Sequence, residues 1–247
     1  MADWNDNSRS QQGFGSVPRT SDELSGGVTF DEGLRKHMLS IYNYMVSGIL
    51  LTGIVALLTA RSGLALTLMQ GPMFWLIALS PLAIVLAMSF GRNKFSRGTL
   101  QMMFWGFAIL MGLSMSSIFL VYTGGSIAAT FFATSAAFAG LSLFGYTTKK
   151  DLSGFGSFLI MGVVGLIVAM LLNMWLQSQA LMYAVSFIGV LIFAGLTAYD
   201  TQRLKREYAY LRGTDFAGKA VILGALSLYL DFINMFQFLL SFMGSSD

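Results

Sequence analysis

Seven blocks of about twenty apolar residues each, joined by short connections that hold most of the Lys and Arg, leave this chain few ways to fold. The blocks are Met38–Ala60, Met73–Phe90, Thr99–Tyr122, Ser126–Tyr146, Gly154–Gln177, Ala180–Thr201 and Ala220–Gly244. A bilayer core about 30 Å thick is crossed by roughly 20 helical residues. Only a helix or a closed barrel can satisfy its backbone hydrogen bonds there. Blocks this long and continuously apolar read as helices, and the short connections make neighbours antiparallel. The chain is 55% hydrophobic and 11% charged, whereas soluble domains carry about 25% charged residues. The surplus apolar surface must face lipid. The expected fold class is therefore all-α, a polytopic membrane protein with seven transmembrane helices.

The basic residues orient it. Arg9, Arg19, Arg35 and Lys36 precede the first block; Arg92, Lys94 and Arg97 follow the second; Lys149 and Lys150 follow the fourth. Arg203, Lys205, Arg206, Arg212 and Lys219 fall between the sixth and seventh. Seven crossings put 14 of the 15 Lys and Arg on one side and Arg61 alone on the other. Because cytoplasmic loops retain Lys and Arg, the amino terminus is expected in the cytoplasm and the carboxyl terminus outside. The alternative is a last segment that dips in and returns. This clustering also accounts for the basic charge balance without nucleic acid. Residues 1–36 are polar, lack the apolar stretch of a signal peptide, and read as a disordered cytoplasmic tail before a transmembrane domain spanning 37–247.

The absence of cysteine excludes disulfides, thiolate metal sites and a cysteine nucleophile. The one histidine, His37, cannot hold a transition metal alone. No cofactor is expected, nor an enzymatic activity. Ala129, Ala133 and Ala137, with Thr130, Thr134 and Ser142 beside them, read as a close-packing stripe on the fourth helix. Pro81 should kink the second helix, and Asn173 reads as interhelical glue on the fifth.

Ten of the twelve acidic residues lie in tails or loops. The other two are Asp200, near the basic end of the sixth helix, and Asp231, midway along the seventh. An aspartate at helix centre costs about 2.5–3.5 kcal/mol on insertion scales and usually marks an ion or proton pathway. Gly224, Ser227, Asp231, Asn234 and Ser241 are spaced 3, 4, 3 and 7, so they share one face of the last helix. A polar face on a spanning helix must look into protein or a wet cavity, which makes the last helix central. If Asp200 and Asp231 meet, they titrate as a unit, and Arg92 at the end of the second helix is placed to compete for them.

Four strings resemble the bacterial branch of the Bax inhibitor family: SSIFLVYTGGSIAATFF at 116–132, GYTTKKDLSGFGSFLIMG at 145–162, FAGLTAYDTQRLK at 193–205 and GALSLYLDFINMF at 224–236. The likeness covers residues 35–244. It implies two three-helix layers enclosing a central carboxy-terminal helix, and a pH-sensitive calcium leak in a bacterial inner membrane. The family's paired-aspartate sensor falls on Asp200 and Asp231, and its latching arginine falls by position on Arg92, with Lys94 or Arg97 as substitutes. The basic carboxy-terminal tail of eukaryotic relatives is missing here, which sets aside functions tied to it.

Calcium takes six to eight oxygens. Asp200, Asp231, Asn234, Ser227 and nearby carbonyls would make a weak calcium site, as suits a transported ion rather than a stored one. The chain is expected to act as a monomer whose one certain partner is the bilayer. Two other readings are a regulator that binds a membrane-anchored ATP-dependent protease and a proton-coupled transporter. An aspartyl intramembrane protease fits poorly, because Leu228-Tyr229-Leu230 precedes Asp231 where that class has Gly-x-Gly. A retinal protein is excluded, since Lys219 lies at the edge of the last block.

Overall fold

The computed structural model describes residues 21–68 and 70–245, with side chains described from residue 32. Among them are nine helices: α1 (Ser21–Arg61), α2 (Leu64–Leu68), α3 (Pro72–Gly91), α4 (Arg97–Met115), α5 (Ile118–Val121), α6 (Gly124–Thr147), α7 (Ser153–Leu176), α8 (Gln179–Leu211) and α9 (Ala217–Met243). Seven spans are long and apolar enough to cross a bilayer: α1, α3, α4 with its continuation α5, α6, α7, α8 and α9. The protein is an all-α polytopic membrane protein. Side-chain oxygens mark where several helices begin: Ser96, Thr123 and Ser178 accept from the backbone N–H three residues on, at 3.1, 3.1 and 3.3 Å.

α3 and α1 pack on α4, while α6 and α7 pack on α8, forming two sets of three spanning helices. α9 runs between the sets and touches α1, α4, α6 and α8. The most apolar stretch of α9 is 67% buried, against 11% for α3 and 17% for α7. The core centres on Tyr229 of α9, which is fully buried. Phe107 and Phe104 meet its ring edge-on at 5.0 and 6.3 Å. Thr52 of α1 gives its hydroxyl proton to the Ala108 carbonyl of α4 at 2.8 Å, so Tyr229 donates to Thr52 at 2.7 Å. One polar chain thus joins three helices where no water competes.

Four expectations change. The stripe Ala129, Ala133 and Ala137 faces outward, and the buried stripe of α6 is Thr130, Thr134, Phe138, Ser142 and Gly145. A methyl group sits in lipid at no cost, whereas a hydroxyl needs a partner that only protein supplies. Thr134 bonds the Thr130 carbonyl, and Ser142 bonds Tyr42 and Thr201. Asn173 does not bond across two packed helix faces: its side-chain oxygen accepts the Ser178 N–H at 2.9 Å and so ties the end of α7 to the cap of α8, the next helix in the chain. The helix expected to start near residue 37 extends back to Ser21, so residues 21–36 are helical and only 1–20 of the expected tail lie outside the described residues. Finally, α8 continues to Leu211, well past Thr201, carrying Arg203, Lys205 and Arg206 on a helix rather than a loop.

That extension clamps residues 148–152. Gln202 donates to the Lys150 carbonyl at 2.7 Å and accepts the Leu152 N–H at 2.9 Å, while Lys205 bonds the Tyr146 carbonyl at 2.8 Å. Arg206 reaches Asp151 at 2.6 Å and Ser153 at 2.9 Å. The backbone N–H and hydroxyl of Ser153, together with Arg206, hold the Asp151 carboxyl down at about 2. A depressed carboxyl contributes stability above its unfolded value, near pH 4, and loses it only as the pH falls toward 2. The clamp therefore stays charged from pH 5 to 8, and Asp151→Asn should leave unaltered any pH profile measured in that range.

Gly145 lets α6 approach α8 closely, since a Cβ there would meet the backbone of Ala198, with Cα at 2.9 Å. Gly140, on the same helix, faces open space. Gly145→Ala should lower stability by about 1–3 kcal/mol in reversible unfolding from micelles. Gly140→Ala should gain up to about 1 kcal/mol from helix propensity.

Candidate functional site

The two aspartates lie on α8 and α9, whose contact is the most extensive between any two helices. Each is buried, at 5% exposure. Ser227 lies one turn before Asp231 and donates its hydroxyl to Oδ2 of Asp200. Arg203, one turn beyond Asp200, places Nη2 at 3.3 Å from the same oxygen and 3.1 Å from the Ser227 hydroxyl. The guanidinium lies 5.8 Å from the Tyr199 ring centre. Its Nε is 3.6 Å from the Glu207 carboxylate, too far for a hydrogen bond, and is buried without a partner. Asp200, Arg203 and Glu207 thus form a ladder on one face of α8 at spacings of three and four.

Asp231 sits about 6 Å along the axis from Ser227, one turn further on the face of α9 that Ser227 turns toward Asp200. Its Oδ2 is buried with no hydrogen-bond partner. An unmatched carboxylate oxygen in a low-dielectric site is costly. A proton, a cation or a water molecule satisfies it. The one guanidinium at the site contacts Asp200 and lies 3.6 Å from Glu207, and no ion pair joins it to Asp231 among the described residues.

Beside the pair, a cavity of about 280 Å³ is walled by Val85 and Ser89 of α3 and Arg92 at its C-cap, Arg203 and Glu207 of α8, and Ser227 and Leu230 of α9. Arg92 thus faces the same space as Arg203, yet it forms no ion pair among the described residues. The cation that touches Asp200 is Arg203. Of the two substitutes for Arg92, Arg97 lies against Gly218 at the start of α9, and neither it nor Lys94 lines the cavity. Asn234 does not reach the carboxylates: its amide donates to the Leu230 carbonyl of its own helix at 2.8 Å. Ser241 accepts from Ser186 of α8 at 3.1 Å, and Gly224 admits Leu204 and Ile41. The polar face of α9 is therefore divided among several contacts, and Ser227 and Asp231 are the part that forms the site.

Behind Asp200 runs a second polar chain. Tyr42 of α1 bonds Ser142 of α6, which lies 3.0 Å from the hydroxyl of Thr201, the neighbour of Asp200 on α8. No group of three or more His, Cys, Asp or Glu side chains able to hold a metal occurs among the described residues. The side-chain oxygens of Asp200, Asp231 and Ser227 fall short of the six to eight that a firmly held calcium takes. Arg203, Glu207 and Tyr42 were not singled out from the sequence. The Asp-x-x-Arg-x-x-x-Glu spacing carried the signal for the first two, once the helix is allowed to run past the apolar block.

The family model described as "Inhibitor of apoptosis-promoting Bax1" matches residues 34–247. A Caulobacter vibrioides protein described as uncharacterized is 47% identical over 94% of this chain and 95% of its own length. The inner membrane protein YbhL of Escherichia coli K12 is 48% identical over 86% of this chain and 93% of its own. Uncharacterized protein RP147 of Rickettsia prowazekii is 45% identical over 92% and 97%.

Removing Arg203 leaves a buried carboxylate with one donor. Arg203→Ala should lower stability at neutral pH by about 1–3 kcal/mol, partly restored in the double variant Asp200→Asn/Arg203→Ala. Arg92→Ala should stay within about 0.5 kcal/mol. Denaturant unfolding in micelles measures all three.

Proposed function

We propose, from the premise that this chain belongs to the Bax inhibitor family, that it is a pH-sensitive cation leak in a bacterial inner membrane, with calcium as the transported ion and the Asp200/Asp231 pair as its gate. The buried oxygen of Asp231, partnerless beside an ion-paired Asp200, carries the reading. A purely structural aspartate would have its acceptors filled. The inner-membrane placement follows YbhL, to which the chain is similar. The distribution of Lys and Arg supports an amino terminus in the cytoplasm.

The mechanism starts from charge. With Asp200 ionised, Arg203 and Ser227 hold it and stand between the cavity and Asp231. Protonation of Asp200 removes the charge that holds Arg203, whose remaining carboxylate neighbour is Glu207 at 3.6 Å. The guanidinium then moves toward Glu207, and the pair opens to the cavity. α3 forms the far wall, is the least buried of the spans and packs chiefly on α4, so its displacement disturbs little. Arg92 rides on it, and its charge faces the site from across the cavity. Besides Arg92, Arg203 and Glu207, no charged group lines that space. A passing cation meets two carboxylates and a hydroxyl, enough to attract it and too few to retain it.

Calcium flux into proteoliposomes, with no pH gradient imposed, tests this. Flux that appears only under a gradient would instead indicate proton-coupled transport. Asp200→Asn mimics the neutral acid, so its flux at neutral pH should match that of the wild type at acidic pH, with a flattened profile. Asp231→Asn and Arg203→Ala should each change the profile as well. An unchanged profile in all three would remove the gate from the account.

A further inference from the structure

A second, larger cavity lies away from the carboxylates, where the two three-helix sets meet edge to edge. It is a groove of about 770 Å³ between α1 and α6, running from Arg35 to Leu50 on one wall and from Tyr146 to Phe131 on the other. Fifteen helical residues make it about 22 Å long, longer than the half-thickness of a bilayer core. Its open rim carries Leu39, Leu50 and Leu143, which are about half exposed or more, and Phe138 and Phe232 line it deeper in.

Two observations decide what fills it. The polar groups inside are already satisfied: Ser142 bonds Tyr42 and Thr201, and Ser135 bonds the Phe131 carbonyl at 2.8 Å. The occupant is therefore apolar along its length. A slot of this lining, open sideways to the bilayer, is suited to extended hydrocarbon. The mouth is basic. Lys36 is occupied by Glu32 at 2.8 Å, but Arg35 pairs with no carboxylate among the described residues. Across the mouth, Lys205 lies 4.8 Å from the Tyr146 ring centre.

We propose that this groove binds one anionic phospholipid from the surrounding leaflet, its acyl chain laid between α1 and α6 and its phosphate held at Arg35. Charge-assisted contact to a phosphate is what an unpaired guanidinium at the interface supplies. The site is independent of the leak reading and stands whether or not the chain conducts ions.

Native mass spectrometry of the full chain released from micelles tests it, with phosphatidylglycerol and phosphatidylcholine of identical acyl chains as probes. Wild type should retain one phosphatidylglycerol through activation that strips phosphatidylcholine. Arg35→Gln should bring the two headgroups to parity. Ala139→Trp and Leu39→Trp fill the groove from opposite walls at exposed positions, and each should lose the retained lipid. Ala133→Trp, on the outward stripe of α6, should keep it. Retention of the lipid in both groove-filling variants would overturn the proposal, as would equal retention of the two headgroups by wild type, an undiminished preference in Arg35→Gln, or a dimer that both tryptophans abolish.

Discussion

Two carboxylates set into a hydrocarbon slab impose the architecture. An aspartate midway along a spanning helix is tolerated only where protein surrounds it, so the helix bearing Asp231 has to be interior. The two sets, α1 with α3 and α4, and α6 with α7 and α8, are the walls this requires. The central position of α9 in turn explains its composition. It carries apolar residues on nearly every side, with small or polar residues where a neighbour comes closest: Gly224 at Leu204 and Ile41, Ser227 at Asp200, Ser241 at Ser186.

Rigidity is distributed unevenly around the pair. Two residues before Asp231, Tyr229 locks α9 to α1 and α4 through Thr52. On the other side Gly145 seats α6 against α8, and the Gln202 and Arg206 contacts fix the connection from α6 to α7. Against this frame α3 stands apart, packed chiefly on α4 and separated from the carboxylates by a cavity. In the proposed gate, α3 is the element that responds to a charge change at Asp200. Coupling of this kind needs an element with two arrangements whose balance the site can bias. The cavity provides the room for it.

Much of the fold was legible because its strongest signal is also its strongest constraint. Seven apolar blocks gave seven spans, and the polar face of the last block gave its central place. Sequence reasoning failed where it equated the end of hydrophobicity with the end of a helix. α8 runs on through Arg203 and Arg206, so the cation that touches Asp200 was assigned to a loop and Arg92 stood in its place. The structure puts Arg92 on the cavity wall and Arg203 in contact. The alanine stripe of α6 misled for a related reason: small residues permit close packing without requiring it, whereas Thr134 and Ser142 cannot do without partners. The Tyr42–Ser142–Thr201 chain was not readable, because nothing local in three distant hydroxyl residues announces that they meet.

The central claim is that the two carboxylates behave as one titrating unit. pH-difference infrared spectroscopy of the protein in nanodiscs reads the protonated-carboxyl band directly. If the claim holds, the midpoint assigned to Asp231 by Asp231→Asn subtraction moves by at least about one pH unit when Asp200 is replaced by Asn. A midpoint that stays where it was would mean that the two groups do not sense each other, and the gate would have no physical basis.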